Sequence, residues 1–126
     1  MELFTNAVVW VEIPVINFDR AKLFYSTIYG YQMPEMLMAG TRMGFLLYDQ
    51  NTGVGAAIVQ GEGYVPSSVG SKVYLNGGAD LNIILAAVAA SGGKVIRPKT
   101  FITTELGYFA VFEDTEGNHI SLQSKL

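Results

Sequence analysis

Few side chains in this sequence could carry out chemistry, and most of them fall on one face of two predicted strands. Residues 9–15 alternate, so the valines and Ile13 share one face and polar or bulky side chains share the other. Residues 72–76 repeat that alternation. The candidate ligand-binding residues on the second face are Trp10, Glu12, Lys72, Tyr74 and Asn76.

Glu12 is the candidate catalytic residue of this group. Burial in a cleft would raise the pKa of its carboxyl toward the range of a general base, as an isomerisation or epimerisation requires. Two alternatives stay open, an ion pair with Lys72 or another cation and direct contact with a ligand. Trp10 could stack on a flat ligand or fill the core, and Tyr74 could bind a ligand oxygen or a neighbouring strand.

His119 and Ser121 alternate on the last predicted strand, so both are expected to face the cleft and to contribute to ligand binding. A solvated histidine beside a turn is the alternative for His119. The sequence has no Cys and one His, which excludes disulfides and thiolate metal sites and leaves a two-histidine site only to a symmetric dimer. Most familiar catalytic constellations are therefore absent.

The charge pattern limits the classes of binding partner that we expect for this protein. The chain has 8 Lys+Arg and 11 Asp+Glu, a net charge of −3, and its basic residues are scattered singly. This pattern is not typical of binding to nucleic acid or to an anionic membrane. The longest charge-poor stretch is too short to span a bilayer, and no export signal is evident, so we expect a cytoplasmic protein.

An internal repeat organises the elements that must position these residues. Asn17 and Asp80 lie 63 residues apart, and each precedes a run with one apolar helical stripe. Both are predicted N-caps, and Gly30 and Gly92 are predicted to end the two helices in the left-handed conformation. Each half of the chain therefore reads strand, helix, strand and hairpin.

We predict a single domain over residues 7–125, with βαβββ modules at 7–60 and 72–125 joined by a Gly/Ser/Pro-rich connector at 61–71. One such unit covers only one face of its sheet. Two units side by side would form a curved eight-stranded mixed sheet of the α+β class, with the helices on the outer face and a cleft opposite them.

Two further segments could border that cleft. Met33, Met36, Met38 and Met43 could line it as flexible apolar side chains or simply pack in the core. Residues 97–107, with Lys99, Thr100, Thr103 and Thr104, could form a lid or a plain surface loop.

These features resemble the vicinal oxygen chelate superfamily, which includes glyoxalase I, bleomycin-resistance proteins and extradiol dioxygenases. The resemblance rests on the tandem modules and on three motifs: Val15-x-x-Phe18-Asp19-Arg20-Ala21-x-x-Phe24-Tyr25, Gly92-Gly93-Lys94-Val95, and Phe112-x-Asp114-x-Glu116-Gly117-Asn118. Residues 61–67 and 97–100 are similar to those of small, stand-alone bacterial glyoxalase-like proteins.

The resemblance implies one divalent metal held by four residues, which fall here on Trp10, Ala57, Lys72 and Ser121. None of these is a usual metal ligand, since indole lacks a free lone pair, alanine lacks a donor and lysine is protonated at neutral pH. We therefore expect no cofactor, although the fold itself would be shared.

Two functions of different classes follow. The first is a metal-independent module that binds a small, partly aromatic or polar molecule in the cleft, as bleomycin-resistance proteins do. The second is an enzyme of the lyase, isomerase or dioxygenase type that uses either Glu12 or a divalent metal bound at other positions. A third possibility is a cleft filled by its own side chains. Open sheet edges and the resemblance also predict a homodimer.

Overall fold

The same five elements occur in the same order in both halves of the chain. The computed structural model describes residues 2–126. The first half contains β1 (Trp10–Pro14), α1 (Phe18–Tyr29), β2 (Glu35–Met38), β3 (Thr41–Phe45) and β4 (Gly55–Gln60). The second contains β5 (Tyr74–Asn76), α2 (Asn82–Ala90), β6 (Lys94–Thr103), β7 (Gly107–Glu113) and β8 (His119–Ser124). The tandem βαβββ prediction is confirmed.

The hydrogen-bonded ladders divide the eight strands into two sheets with matching topology. Their strand orders are β1-β4-β3-β2 and β5-β8-β7-β6. In each sheet the first strand of the module pairs in parallel with the last, and the other pairs are antiparallel. This mixed arrangement confirms the α+β class, and it leaves β1 and β5 each at one edge of its sheet.

The repeat extends to individual hydrogen bonds. The N–H of Phe18, at the start of α1, donates to Gln60 Oε1 at 2.6 Å, and the N–H of Leu81, just before α2, donates to Ser124 Oγ at 3.0 Å. Each acceptor lies at the end of the last strand of its module. The two modules therefore use the same polar contact to hold a helix start against a strand end.

Local signals fix both ends of α1. Asn17 Oδ1 accepts from the N–H of Arg20 at 3.1 Å, and Gly30 ends the helix with a φ of 67°, as predicted. The end of α2 is also as predicted, since Gly92 has a φ of 95° and Gly93 donates to the carbonyl of Val88 at 2.9 Å.

Replacing Asn17 with alanine should lower the free energy of unfolding by about 1 kcal/mol, because one first-turn N–H loses its acceptor. Urea denaturation measures this change. Asn82→Ala is the matched control, since Asn82 lies exposed at the start of α2 and is held through its backbone N–H. Equal losses in the two variants would contradict the assigned cap.

The start of α2 differs from the prediction. The helix begins at Asn82, two residues after Asp80, and Leu81 occupies the N-cap position. The carboxylate of Asp80 still accepts from the N–H of Asn82 at 3.0 Å and pairs with Lys99 at 3.0 Å. These bonds lower the pKa of Asp80. Asp80 thus provides the expected hydrogen bond from outside the helix.

The main core lies between the helices and one face of the strands. It contains Phe24 and Tyr25 of α1, Val88 of α2, and Phe112 and Leu122 of the second sheet, each at most 1% exposed. A smaller cluster lies on the opposite face of the first sheet. In that cluster Met43, Ala57 and Val59 are buried beneath Trp10, Phe45 and Tyr64.

Two predictions about segments need correction. Residues 94–103 form strand β6, so most of the predicted 97–107 loop is a sheet edge rather than a lid. The four methionines do not act together: Met33 and Met43 are buried, whereas Met36 and Met38 are exposed on β2. No helix within residues 2–126 is long and apolar enough to cross a membrane.

Candidate ligand-binding cleft

A cleft of about 930 Å³ lies where the edge strands β1 and β5 of the two sheets face each other. The hairpin turn around Asp49 and Gly53 forms one of its walls, and Val8 and Leu47 lie at its apolar rim. Five of the sequence-predicted site residues line this cleft, namely Trp10, Glu12, Lys72, Tyr74 and Asn76. The facing edge strands therefore bring together residues that are 60 or more positions apart in the chain, and Val11, Val73 and Leu75 of the alternate positions line the cleft as well.

Aromatic rings shape the cleft. Trp10 is half-buried, with its ring centroid 6.1 Å from that of Phe45 and 6.0 Å from that of Tyr48. Tyr74 is 54% exposed, with its ring 6.5 Å from that of Phe109. Trp10 thus packs against the smaller cluster and also contributes surface to the cleft, while Tyr74 leaves half of its surface free for contact.

Glu12 has a different partner from the one the sequence suggested. Its Oε1 accepts a hydrogen bond from the Tyr64 hydroxyl at 2.8 Å, whereas Lys72 Nζ donates to the carbonyl of Ser68 at 3.2 Å. The ion pair between Glu12 and Lys72 is therefore not formed. Glu12 is also exposed rather than buried. The neighbouring carboxylate raises the pKa of Tyr64, which keeps the phenol protonated as the donor.

His119 and Ser121 lie apart from the main cleft. His119 lines a smaller cavity of about 220 Å³ beneath the connector, together with Glu12, Ser67 and Asn118. Its Nε2 lies 3.1 Å from Glu113 Oε1 on the adjacent strand, so this histidine is half-buried and paired rather than solvated. Ser121 is only 4% exposed, and its N–H donates to the carbonyl of Val73.

Asn76 contributes to the wall of the cleft and to the turn that follows β5. Its carbonyl accepts from the Tyr29 hydroxyl at 2.8 Å, and its Oδ1 accepts from the N–H of Gly78 at 2.8 Å. Burial raises the pKa of Tyr29, so its hydroxyl remains a donor. The Oδ1 of Asn76 is thus engaged in the local turn.

Three residues that support the cleft come from the turn between β7 and β8, and their sequence spacing did not indicate this role. Asn118 donates to the carbonyl of Pro14 at 2.7 Å and accepts from the N–H of Ser67 at 2.9 Å, which connects the second module to β1 and to the connector. Asp114 accepts from the hydroxyl of Tyr25 at 2.7 Å and from Asn118 Nδ2 at 3.0 Å. Asp114 and Asn118 are 3% and 4% exposed.

Glu116 completes this network. It accepts from the N–H groups of Ile16 and Asn17 at 2.9 and 2.7 Å, and its Oε2 pairs with Arg20 Nε at 2.7 Å. The turn therefore holds the segment between β1 and α1, which fixes the strand that carries Trp10 and Glu12.

Comparison with known proteins identifies the family. The chain is 31% identical over 117 residues to a glyoxylase-like domain-containing protein of Didymella fabae, and the match covers 86% of this chain and 85% of that protein. The chain belongs to the glyoxalase-like family of the vicinal oxygen chelate superfamily. No family model matches the chain.

Solved structures show that this glyoxalase-like protein has the expected fold. A glyoxalase/bleomycin resistance protein from Albidiferax ferrireducens T118 superposes with a TM-score of 0.68 at 17% identity, covering 96% of this chain and 100% of that one. The trypanothione-dependent glyoxalase I of Leishmania major gives 0.66 at 16% identity, covering 96% and 88%. At these identities the similarity concerns the fold alone.

The side chains at the four positions that the resemblance assigns to metal ligands are poor ligands for a metal ion. Trp10 and Ala57 offer no lone pair, the ammonium of Lys72 is a donor bonded to a carbonyl, and Ser121 is a neutral hydroxyl. Within residues 2–126 no group of three or more His, Asp or Glu side chains is placed to hold a metal. His119 and Glu113 form a pair without a third ligand.

Proposed function

We propose that this glyoxalase-like protein binds a small, partly aromatic and polar molecule in the cleft between its two modules without a metal ion. The observation that carries this proposal is the composition of the 930 Å³ cleft, where aromatic rings and polar side chains converge on one cavity. Cavities of this size and character suit small-molecule ligands. The side chains at the four positions that the resemblance assigns to metal ligands, Trp10, Ala57, Lys72 and Ser121, are poor ligands, which supports binding without a metal ion.

The lining residues indicate the ligand's chemistry. Trp10 lines the cleft from β1 of the first module, and Tyr74 lines it from β5 of the second. Two aromatic side chains on opposite strands suit a ligand that contains a flat ring. Glu12 can accept a hydrogen bond, and the exposed ammonium of Lys72 can attract an anionic group. A ring that carries polar substituents would use both kinds of contact.

Trp10 is the only tryptophan in the chain, so its fluorescence reports on the cleft directly. We expect compounds from a panel of aromatic metabolites to raise the melting temperature of chelator-treated protein and to change Trp10 emission. Tyr74→Ala should weaken that binding about tenfold because it removes a stacking surface. Phe101→Ala, which truncates an exposed ring on β6, is the control.

The same measurements test the enzymatic alternative. Purified protein that carries stoichiometric zinc, nickel or iron, and that loses an activity on chelation, would overturn the metal-independent proposal. A panel in which no compound changes either the emission or the melting temperature would instead favour a cleft filled by its own side chains.

We also propose that the protein is a homodimer. Each β2 residue is exposed, including Leu37 at 77%, so this edge strand offers unpaired backbone groups and apolar side chains to a second copy. A monomer mass across micromolar concentrations would contradict this assignment.

A further inference from the structure

Tyr64 of the connector lies on the face of the first module that borders the proposed ligand cleft. Its ring packs against the cluster of Met43, Ala57 and Val59, on which Trp10 and Phe45 also pack. Its hydroxyl donates to Glu12 at 2.8 Å. The ring of Tyr64 thus packs on an apolar surface, and its hydroxyl donates to the carboxylate of Glu12.

This face is continuous with the cleft. Trp10, which packs on the same cluster as Tyr64, and Glu12, which accepts the bond from its hydroxyl, both line the 930 Å³ cavity. Glu12 also lines the 220 Å³ cavity on the other side. The position that the tyrosine ring fills is therefore separated from the cleft by Trp10 and Glu12 alone among its named contacts, and both of these residues belong to the cleft wall.

The segment that carries Tyr64 is a short turn, in which the N–H of Tyr64 donates to the carbonyl of Gly61 at 3.2 Å. Gly63 has a φ of 87°, and the side chain of the next but one residue, Val65, is 74% exposed. The connector is anchored further along, where the N–H of Ser67 donates to Asn118. Displacement of Tyr64 therefore requires only residues 61–66 to rearrange, between the end of β4 and the anchored Ser67.

We propose that the first-module face is a subsite for a hydroxyaromatic ring, that Tyr64 occupies it in the free protein, and that a phenolic ligand displaces Tyr64. This inference rests on the proposed function, which it deepens by naming the ligand class. The floor formed by Ala57 and Val59 accommodates a flat ring, and the carboxylate of Glu12 selects a ring that carries a hydrogen-bond donor.

Tyr64→Ala with p-cresol, the isolated tyrosine side chain, tests the subsite. In the variant, p-cresol should change the Trp10 emission and raise the melting temperature at a concentration about tenfold lower than in the unaltered protein. The reason is that p-cresol no longer competes with the side chain of Tyr64 for the subsite. Toluene should bind at least about fivefold more weakly, since it lacks the donor for Glu12. Equal responses of variant and unaltered protein, or of p-cresol and toluene, would overturn the proposal.

Two further variants keep the test decisive. Adding Glu12→Ala to Tyr64→Ala should abolish the preference for p-cresol over toluene, whereas adding Glu62→Ala should leave it intact.

If Tyr64→Ala does not fold, Tyr64→Phe keeps the ring and removes only the hydroxyl. This variant should be cleaved faster by glutamyl endopeptidase after Glu62, and an unchanged rate would count against the proposed role of the hydroxyl.

The two proposals can fail separately. Ligands that bind the cleft of the unaltered protein while Tyr64→Ala gains no affinity for p-cresol would refute the subsite and leave the proposed function standing. Binding of p-cresol by Tyr64→Ala together with no ligand for the unaltered protein would establish the subsite and refute the proposed function.

Discussion

Replacing Asp114 with alanine is expected to lower the free energy of unfolding by about 4 kcal/mol, a large share of the stability of an ordinary domain. Its carboxylate is 3% exposed and accepts from the Tyr25 hydroxyl, from Asn118 Nδ2 and from the N–H groups of Glu116 and Asn118. Alanine would leave these donors buried without an acceptor. Urea denaturation, monitored by far-UV circular dichroism, measures the loss.

The control for this variant is Asp49→Ala. Asp49 also accepts hydrogen bonds within a hairpin turn, from Asn51 and Thr52, but it is exposed and water can replace it. Its replacement should have a much smaller effect. Similar losses in the two variants would show that the buried turn contributes no more than a surface turn. Because Asn118 links this turn to β1 and the connector, Asp114→Ala should also weaken binding in the cleft.

The predictable parts of the fold are those determined by local signals. Both ends of α1 follow from Asn17 and Gly30, because a cap hydrogen bond and a left-handed residue depend only on adjacent backbone. The strand after α2 was predicted, but its extension through residues 97–103 was missed because β6 is an edge strand. Most of its residues are exposed, and it contains Pro98, so its sequence shows no buried alternation.

The candidate site was predictable only in part. Strand alternation placed Trp10 and Glu12 on the face away from the helices, and the repeat placed Lys72 and Tyr74 at the same cleft. The partner of Glu12 was not predictable, since Tyr64 belongs to an irregular connector 52 residues away, where no periodicity indicates direction. The supporting roles of Asp114 and Glu116 likewise depend on contacts with the other module.

Glu116 should make the stability of the protein depend on pH in the acid range. Its side chain is fully buried, which by itself would raise the pKa, but the bond from Arg20 and those from Asn17, Thr115 and Ile16 lower it below the ordinary 4.5. The unfolded chain therefore binds a proton more readily than the folded one. The stabilisation is present above pH 4.5 and is lost as the pH falls through the lowered pKa.

Glu116→Gln removes this titration while keeping the shape of the side chain. We expect it to cost about 2 kcal/mol at pH 7, since the charge-assisted bonds to Arg20 and to two backbone N–H groups weaken, and to flatten the loss of stability below pH 4.5. Urea denaturation at pH values between 7 and about 3 measures both effects.

Glu62→Gln, an exposed change in the connector, should retain the acid dependence of the unaltered protein. If Glu116→Gln retains it as well, the acid sensitivity arises from other carboxylates, and Glu116 stabilises the junction of β1 and α1 without being coupled to pH.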